Sequence, residues 1–370
     1  CAYLGWVPRK TARFNLFNNV YLKGKMNMMT FNRLILLIVA FSLLALPTLA
    51  QDDDGVFRVA AVAPSATNDL AFSQSMYDAL LAIQAELGEE NFEFVFQDGT
   101  FIVDDAAVAL RDWASSGEFD LVIAHGSQFG SVTEELAVEF PEVSFAWGTD
   151  EDTFGLPNVY AYTAAADQGG YVNGVLAGAL TEANNVGVVG PIEVGDAKLY
   201  VDGFVYGAEQ TNPDANVTVT YIGSFSDVPL GTEAANTQID NGADILTGSA
   251  QMVVGPIAIA TENDVLWFGT QSSQDELSGD VGVAFQVYDW TVVLDDIIAN
   301  RAEGILGGES YVLTLENEGL LIEFDEQFEM SEELMALAEE TIQGIIDGEI
   351  ETLPMEEEAI EEPEATEEAG

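Results

Sequence analysis

Asp167-Gln-Gly-Gly-Tyr171-Val-Asn-Gly-Val-Leu-Ala-Gly-Ala-Leu180 reads as a helix of small residues, and Val186-Gly-Val-Val-Gly190 behind it as a buried strand. Gly203-Phe-Val-Tyr-Gly-Ala-Glu-Gln-Thr-Asn-Pro213 gives a second helix, and Val217-Thr-Val-Thr-Tyr-Ile-Gly-Ser-Phe-Ser-Asp227 a second strand. Helix, strand, helix, strand in short succession indicates a parallel sheet with helices on its faces. The Gly170, Gly174, Gly178 spacing would suit a membrane dimer, but the apolar run is short and its flanks polar. Close packing of the helix on the sheet is the expected use of these glycines.

The same rhythm extends in both directions. Upstream, Phe57-Arg-Val-Ala-Ala-Val-Ala63 is a strand, followed by a helix with Met76, Leu80, Ile83 and Leu87 on one face. Phe92-Glu-Phe-Val-Phe96 alternates as an edge strand does, and Asp104 to Ala114 is helical with Val108 and Trp113 inward. Asp120-Leu-Val-Ile-Ala124 is a short apolar run of the kind parallel sheets bury on both faces. Val143 to Trp147 and Asn158 to Tyr162 follow as strands. Downstream come strands Asp244 to Gly248, Val265 to Phe268 and Val281 to Gln286, then an amphipathic helix from Tyr288 to Arg301. Tyr311 to Glu316 and Leu320 to Phe324 read as a hairpin, and Glu332 to Ile346 as a last helix.

The fold class is therefore α/β, with two Rossmann-like lobes around a central cleft. Residues 56–162 with 285–308 are assigned to lobe 1, and 163–284 with 309–354 to lobe 2. Residues 355–370 form an acidic tail with nothing to bury, which reads as disordered.

Charge narrows the partners. All 64 acidic residues lie after position 50, against four basic ones there, Arg58, Arg111, Lys198 and Arg301. Such a field repels phosphate backbones and excludes nucleic acid as a partner. A solvated, soluble surface, adapted to salt, accounts for it better than an acidic docking face. The single cysteine, Cys1, lies upstream of the folded part and rules out a disulfide framework, and one histidine, His125, rules out a multi-histidine metal centre. Asp52-Asp-Asp54 and Asp295-Asp296 lack the ligand spacing of a calcium loop. No cofactor or metal is expected.

Residues 1–50 are an upstream extension and a secretory signal. Residues 1–25 read as an over-extended reading frame. Met26, Met28 or Met29 is the start, Arg33 the positive region, Leu34 to Leu46 the apolar run, and Thr48-Leu-Ala50 the small-residue cleavage site. The apolar run is too short for a comfortable span, and no cysteine follows it for a lipid anchor. The expected location is extracellular or periplasmic, at the outer face of the cytoplasmic membrane.

In open parallel sheets, ligands sit beyond the carboxyl ends of the strands. Two facing lobes bring those ends to one cleft, which selects Ser65 to Phe72, His125 to Phe129, Trp147 to Thr149, Phe225 to Asp227, Ser249 to Gln251, Thr270 to Ser273 and Gln286 to Trp290. His125 with Ser127 is not a nucleophile pair, since no Gly-x-Ser-x-Gly elbow surrounds Ser127; both are expected to line the cleft. Asp227 and Asp289 are either ligand carboxylates or helix N-caps, with capping favoured for Asp289. Trp290 is expected in packing, and Phe72 is balanced between core and site. No glycine-rich phosphate fingerprint follows a strand.

Asn68-Asp-Leu-Ala-Phe72-Ser-Gln-Ser75, Tyr171 to Ala177, Asn185 to Gly190, Gly203 to Ala208 with Asn212-Pro213, Gly223 to Asp227, Gly242-Ala-Asp244 and Val287 to Trp290 together resemble the basic membrane protein family. These are transporter-associated binding proteins that include purine-nucleoside receptors. The resemblance covers Phe57 to Ile346 and implies a type I periplasmic-binding-protein fold, capture of a ligand by lobe closure, and delivery to an ABC transporter permease. Phe72 stands where the family has a base-contacting Phe, and Phe225 is placed to supply the opposing ring. The chain departs from the family where charged residues would hold a ribose: Thr149, Gln271 and Gln286 stand at or nearest to those positions.

An uncharged set of Gln128, Gln251, Gln271 and Gln286, with rings from Trp147, Phe225 and Trp290, suits a free base or another neutral polar ligand. The full set of expected ligand-binding residues is Ser65, Asn68, Phe72, Ser127, Gln128, Trp147, Thr149, Phe225, Asp227, Gln251, Gln271 and Gln286. The expected function is a non-enzymatic binding protein for a purine base or nucleoside, acting as a monomer and meeting the membrane only through its permease. A sensor or receptor for another small solute such as a sugar is the alternative, and a Rossmann-like enzyme is disfavoured.

Overall fold

The computed structural model describes residues 55–354. The export segment and the acidic tail lie outside the described residues. Twelve strands alternate with helices through most of this region. In the first half run β1 (Phe57–Val62), α1 (Phe72–Leu87), β2 (Phe92–Gln97), α2 (Val103–Ser116), β3 (Leu121–His125), α3 (Gly130–Glu139), β4 (Ser144–Gly148) and β5 (Val159–Ala164). After them come α4 (Ala166–Leu180), β6 (Asn185–Gly190), α5 (Gly195–Thr211), β7 (Asn216–Tyr221), α6 (Val228–Asp240), β8 (Ile245–Gly248), α7 (Val254–Glu262) and β9 (Leu266–Gln271). The chain closes with α8 (Asp275–Ser278), β10 (Gly282–Tyr288), α9 (Thr291–Ala302), β11 (Ser310–Leu313), β12 (Leu320–Phe324) and α10 (Glu332–Ile346).

Two six-stranded sheets result, ordered β11-β5-β4-β3-β1-β2 and β12-β10-β9-β8-β6-β7. Every pairing is parallel except β10 with β12. Strands β3 and β4 are buried at every residue, as sheets covered by helices on both faces require. The chain thus builds the two-lobed α/β architecture expected from its rhythm, with β2 at an edge.

The late chain is distributed differently from expectation. Tyr311 to Phe324 is not a hairpin: β11 pairs with β5 in the first sheet, and β12 with β10 in the second. Strand β10, whose later half was assigned to lobe 1, pairs with β9 and lies in the second sheet. The backbone passes between the lobes after β5, again between β10 and α9, and again between β11 and β12. The local pattern of two short apolar runs around a turn is common to hairpins and to crossovers, so long-range pairing decides it. Val108 is 62% exposed on α2, whose inward face is Ala106, Leu110 and Ala114. Trp113 is half-buried against Phe119.

Gly170, Gly174 and Gly178 serve a helix pair rather than a helix on a sheet, whereas Gly169 lies against Gln286 of β10. A Cβ added at Gly174 would lie 2.1 Å from the Phe204 carbonyl oxygen, and one at Gly203 would lie 2.3 Å from that of Asp167. Gly170 and Gly207 meet backbone in the same way. Helices α4 and α5 therefore touch main chain to main chain. Among the described residues no helix is long and apolar enough to cross a membrane.

Candidate functional site

A cavity of about 50 Å³ opens where the carboxyl ends of the two sheets face each other. That exceeds the roughly 10–15 Å³ one water needs, so it is a narrow slot with room inside. From lobe 1 it is lined by Phe72, Phe101, Ser127, Gln128 and Thr149, and from lobe 2 by Asp196, Phe225, Ala250, Gln251 and Gln271, among others. Among the described residues no lysine or arginine lines it. Seven expected residues meet there: Phe72, Ser127, Gln128, Thr149, Phe225, Gln251 and Gln271.

The other five lie outside that lining, each for a visible reason. Ser65 donates to Asp69 Oδ2 at 2.5 Å and sits 2.6 Å from the Ser73 hydroxyl, tying the β1–α1 turn together. Asn68 is exposed on that turn. Trp147 packs in the lobe 1 core, stacked on Phe154, with Nε1 donating to the Asp152 carbonyl at 2.9 Å. Asp227 caps α6, accepting from the Leu230 N–H at 3.0 Å. Gln286 is 0% exposed, lies under Gly169, and accepts from Thr270 Oγ1 at 3.3 Å. Trp290 is fully buried and donates to Ser75 Oγ. Asp289 accepts from the Thr291 N–H two residues on, but the N-cap position of α9 is Trp290 and no side chain caps that helix, so the expected capping role is not what the structure shows.

Phe72 has a defined backing. The His125 ring lies face to face with it, centroids 3.9 Å apart and 7° from parallel. His125 Nε2–H donates to the Phe72 carbonyl at 3.0 Å, which leaves Nδ1 to accept from the Tyr162 hydroxyl at 2.9 Å. Burial pushes the imidazole down to about 3, only partly opposed by its bond to the Phe72 carbonyl, so the ring is neutral. His125 supports an aromatic wall; it is neither a base nor a metal ligand.

Asp196 organises the junction. It stands in the first turn of α5, 7% exposed. Its Oδ1 accepts from Thr149 Oγ1 at 3.0 Å, across the lobes. Its Oδ2 accepts from the Tyr288 hydroxyl at 3.0 Å and from Gln271 Nε2 at 3.3 Å. Burial, and next the Asp196 carboxylate beside it, hold the Tyr288 hydroxyl well above its usual range, so it remains a donor. Two further bonds close the lobes: Ser272 Oγ to the Ala71 carbonyl at 2.9 Å, and Gln274 Nε2 to that of Leu70 at 3.0 Å.

Among the described residues, two buried polar atoms on lining side chains have no partner, Gln128 Nε2 and Gln271 Oε1. Gln271 and Ala250 also hold positive φ, at 76° and 68°, a conformation that non-glycine residues rarely adopt. Sequence reasoning missed Asp196 and Phe101. Both sit just beyond carboxyl ends, of β6 and β2, so the strand-end rule could have found them. Asp196 escaped because its helix begins at Gly195, ahead of the apolar run from which the helix was read.

Residues 56–359 match the family model described as Bmp: ABC transporter substrate-binding protein PnrA-like. A purine-binding protein of Brucella abortus is 27% identical over 248 residues, covering 66% of this chain and 69% of that one. The transcriptional activator protein med of Bacillus subtilis is 23% identical over 256 residues, covering 69% and 78%. Among solved structures, an ABC transporter solute-binding protein from Conexibacter woesei superposes with a TM-score of 0.68 at 26% identity, covering 81% of this chain and 99% of its own.

Proposed function

We propose that this chain, which belongs to the Bmp family of PnrA-like ABC transporter substrate-binding proteins, takes up a small neutral heterocycle, a purine base or nucleoside, between its lobes. The ligand is then handed to a permease at the outer face of the cytoplasmic membrane. The observation that carries this reading is the pairing of Gln128 Nε2 and Gln271 Oε1, buried and unpartnered, on side chains of one slot. An unsatisfied buried amide atom costs about 1–3 kcal/mol. A ligand with an acceptor for lobe 1 and a donor for lobe 2 removes both costs, and only when the lobes are closed.

The aromatic members support a flat ligand. Phe72 and Phe225 come from opposite lobes, and Phe72 has its other face covered by His125. The absence of lysine and arginine from the lining disfavours a phosphorylated or carboxylate ligand. The charged ribose clamp implied by the family resemblance is replaced here by Thr149 and Gln271, which favours a free base over a nucleoside. The purine-binding relative is consistent with this class of ligand.

A thermal-shift and calorimetry panel of hypoxanthine, adenine, inosine, adenosine, glucose and ribose tests the reading. A binder at about 100 times its Kd gains about 2.7 kcal/mol of stability by mass action. Stabilisation by a base or nucleoside is expected. Stabilisation by a sugar alone would overturn the ligand class and leave the fold and family untouched.

A further inference from the structure

We infer that Asp196 is a specificity-positioning residue: it fixes which end of the Gln271 amide the slot presents, so the bound ligand must supply an N–H or O–H donor there. This rests on the reading that the slot holds a neutral heterocycle.

A carboxylate only accepts hydrogen bonds, whereas a glutamine amide carries one accepting and one donating end. Gln271 meets Asp196 Oδ2 at 3.3 Å through Nε2. Turning the amide over would set Oε1 against a carboxylate oxygen, acceptor on acceptor, inside a buried junction. Asp196 cannot turn away to relieve this, because Thr149 and Tyr288 hold its two oxygens at 3.0 Å each. Nor is Gln271 free to withdraw. It is 2% exposed at the end of β9, with its backbone in the left-handed region. The accepting end, Oε1, is the one left without a partner. Asp196 therefore acts on the ligand through Gln271, and the same carboxylate joins the lobes through Thr149. Closure and amide polarity are set by one group.

Adenine and hypoxanthine make a suitable pair of probes. They have nearly the same shape, but the donor and acceptor on their six-membered ring edges are interchanged: N6–H donates and N1 accepts in adenine, while N1–H donates and O6 accepts in hypoxanthine. A fixed amide distinguishes them, and an amide free to turn does not.

The test is calorimetric binding of both bases to the wild type, to Asp196→Asn and to Gln271→Met, with thermal unfolding of each variant to confirm that it is folded. The wild type is expected to prefer one base by about tenfold or more, the equivalent of about 1.4 kcal/mol. In Asp196→Asn the neighbouring amide can donate as well as accept, so the preference is expected to fall within about threefold. Gln271→Met, which keeps length and removes both polar ends, is expected to lose the preference too. General loosening of the junction would weaken both bases together and leave their ratio intact. A folded Asp196→Asn that keeps the wild-type ratio overturns the inference, as does a wild type that binds both bases equally. If Asp196→Asn does not fold, Gln271→Met decides: retention of the preference there overturns the inference. A wild type that binds neither base overturns the ligand reading itself, and the inference with it.

Discussion

Helix α5 passes through two physical regimes along its length. At Gly203 and Gly207 it lies so close to α4 that a single Cβ would strike a carbonyl oxygen. One end of the same helix carries Asp196 into a polar junction beside amide atoms with no partner. The glycine contact is closed, because main chain packs against main chain and no room remains for a ligand or a side chain. The junction is the reverse, with space, unpaired hydrogen-bonding groups and positive φ at Gln271 and Ala250. At the junction, unlike at the glycine contact, a second molecule has room to meet the unpaired amide atoms of Gln128 and Gln271. Stability and recognition are thus separated by a few turns of one helix.

The most severe way to break this contrast is Gly174→Val. Overpacking costs about 1–3 kcal/mol in ordinary cores and more where backbone must move. Here the neighbour is the Phe204 carbonyl at 2.1 Å, so a loss at or above the top of that range is expected in urea unfolding. A loss under about 1 kcal/mol would show that the helices can part, and the closed regime would not exist.

A pH experiment probes the wall of the slot. The folded pKa of His125, about 3, lies below its ordinary value of 6.5. Stability from keeping it neutral is present above pH 6.5 and is lost as pH falls toward 3. The stability difference between wild type and His125→Gln should therefore change by about 1.4 kcal/mol per pH unit below 6.5. Comparing the two proteins removes the opposing effects of the buried carboxyls, such as Asp167 and Asp78, whose pKa values burial raises. A difference flat with pH would mean that His125 takes up a proton freely and does not back Phe72 as a neutral ring.

On the recognition side, Phe72→Ala should weaken ligand binding by about 2 kcal/mol, roughly thirtyfold in Kd, through loss of a buried ring. Trp147→Phe should change Kd by less than about threefold, because Trp147 packs behind the lining. Equal effects of the two on Kd in calorimetry would move the site deeper into lobe 1. A small, global effect completes the series. With a formal net charge of −54, unfolding midpoints should rise with added sodium chloride as self-repulsion is screened. Both regimes should shift together.

The α/β rhythm was readable because fully covered parallel strands are continuous apolar runs, as in Leu121 to His125 and Ser144 to Gly148. The destinations of β11 and β12 were not, because two short runs around a turn carry no record of their distant partners. The site was half legible for a similar reason. Phe72, Thr149, Phe225 and Gln271 follow from the strand-end rule. Trp147 and Gln286 obey the same rule yet point into packed interior, since successive strand residues alternate between faces. Asp196 lay outside any apolar pattern, and what makes it matter is three donors brought from Thr149, Gln271 and Tyr288, which no local window contains.

The passage of β11 back to the first sheet has a consequence for how the protein is made. Its hydrogen-bonding partner, β5, is synthesised before any strand of the second sheet, whereas β11 itself follows all of them except β12, and α9, which covers α1, also arrives late. A chain still being extended through β10 would expose the outer edge of β5 as an unpaired strand, a template for association. The N-terminal lobe is therefore not a unit that can mature ahead of its neighbour. A truncation before Ser310 should yield an aggregation-prone fragment instead of a single working lobe.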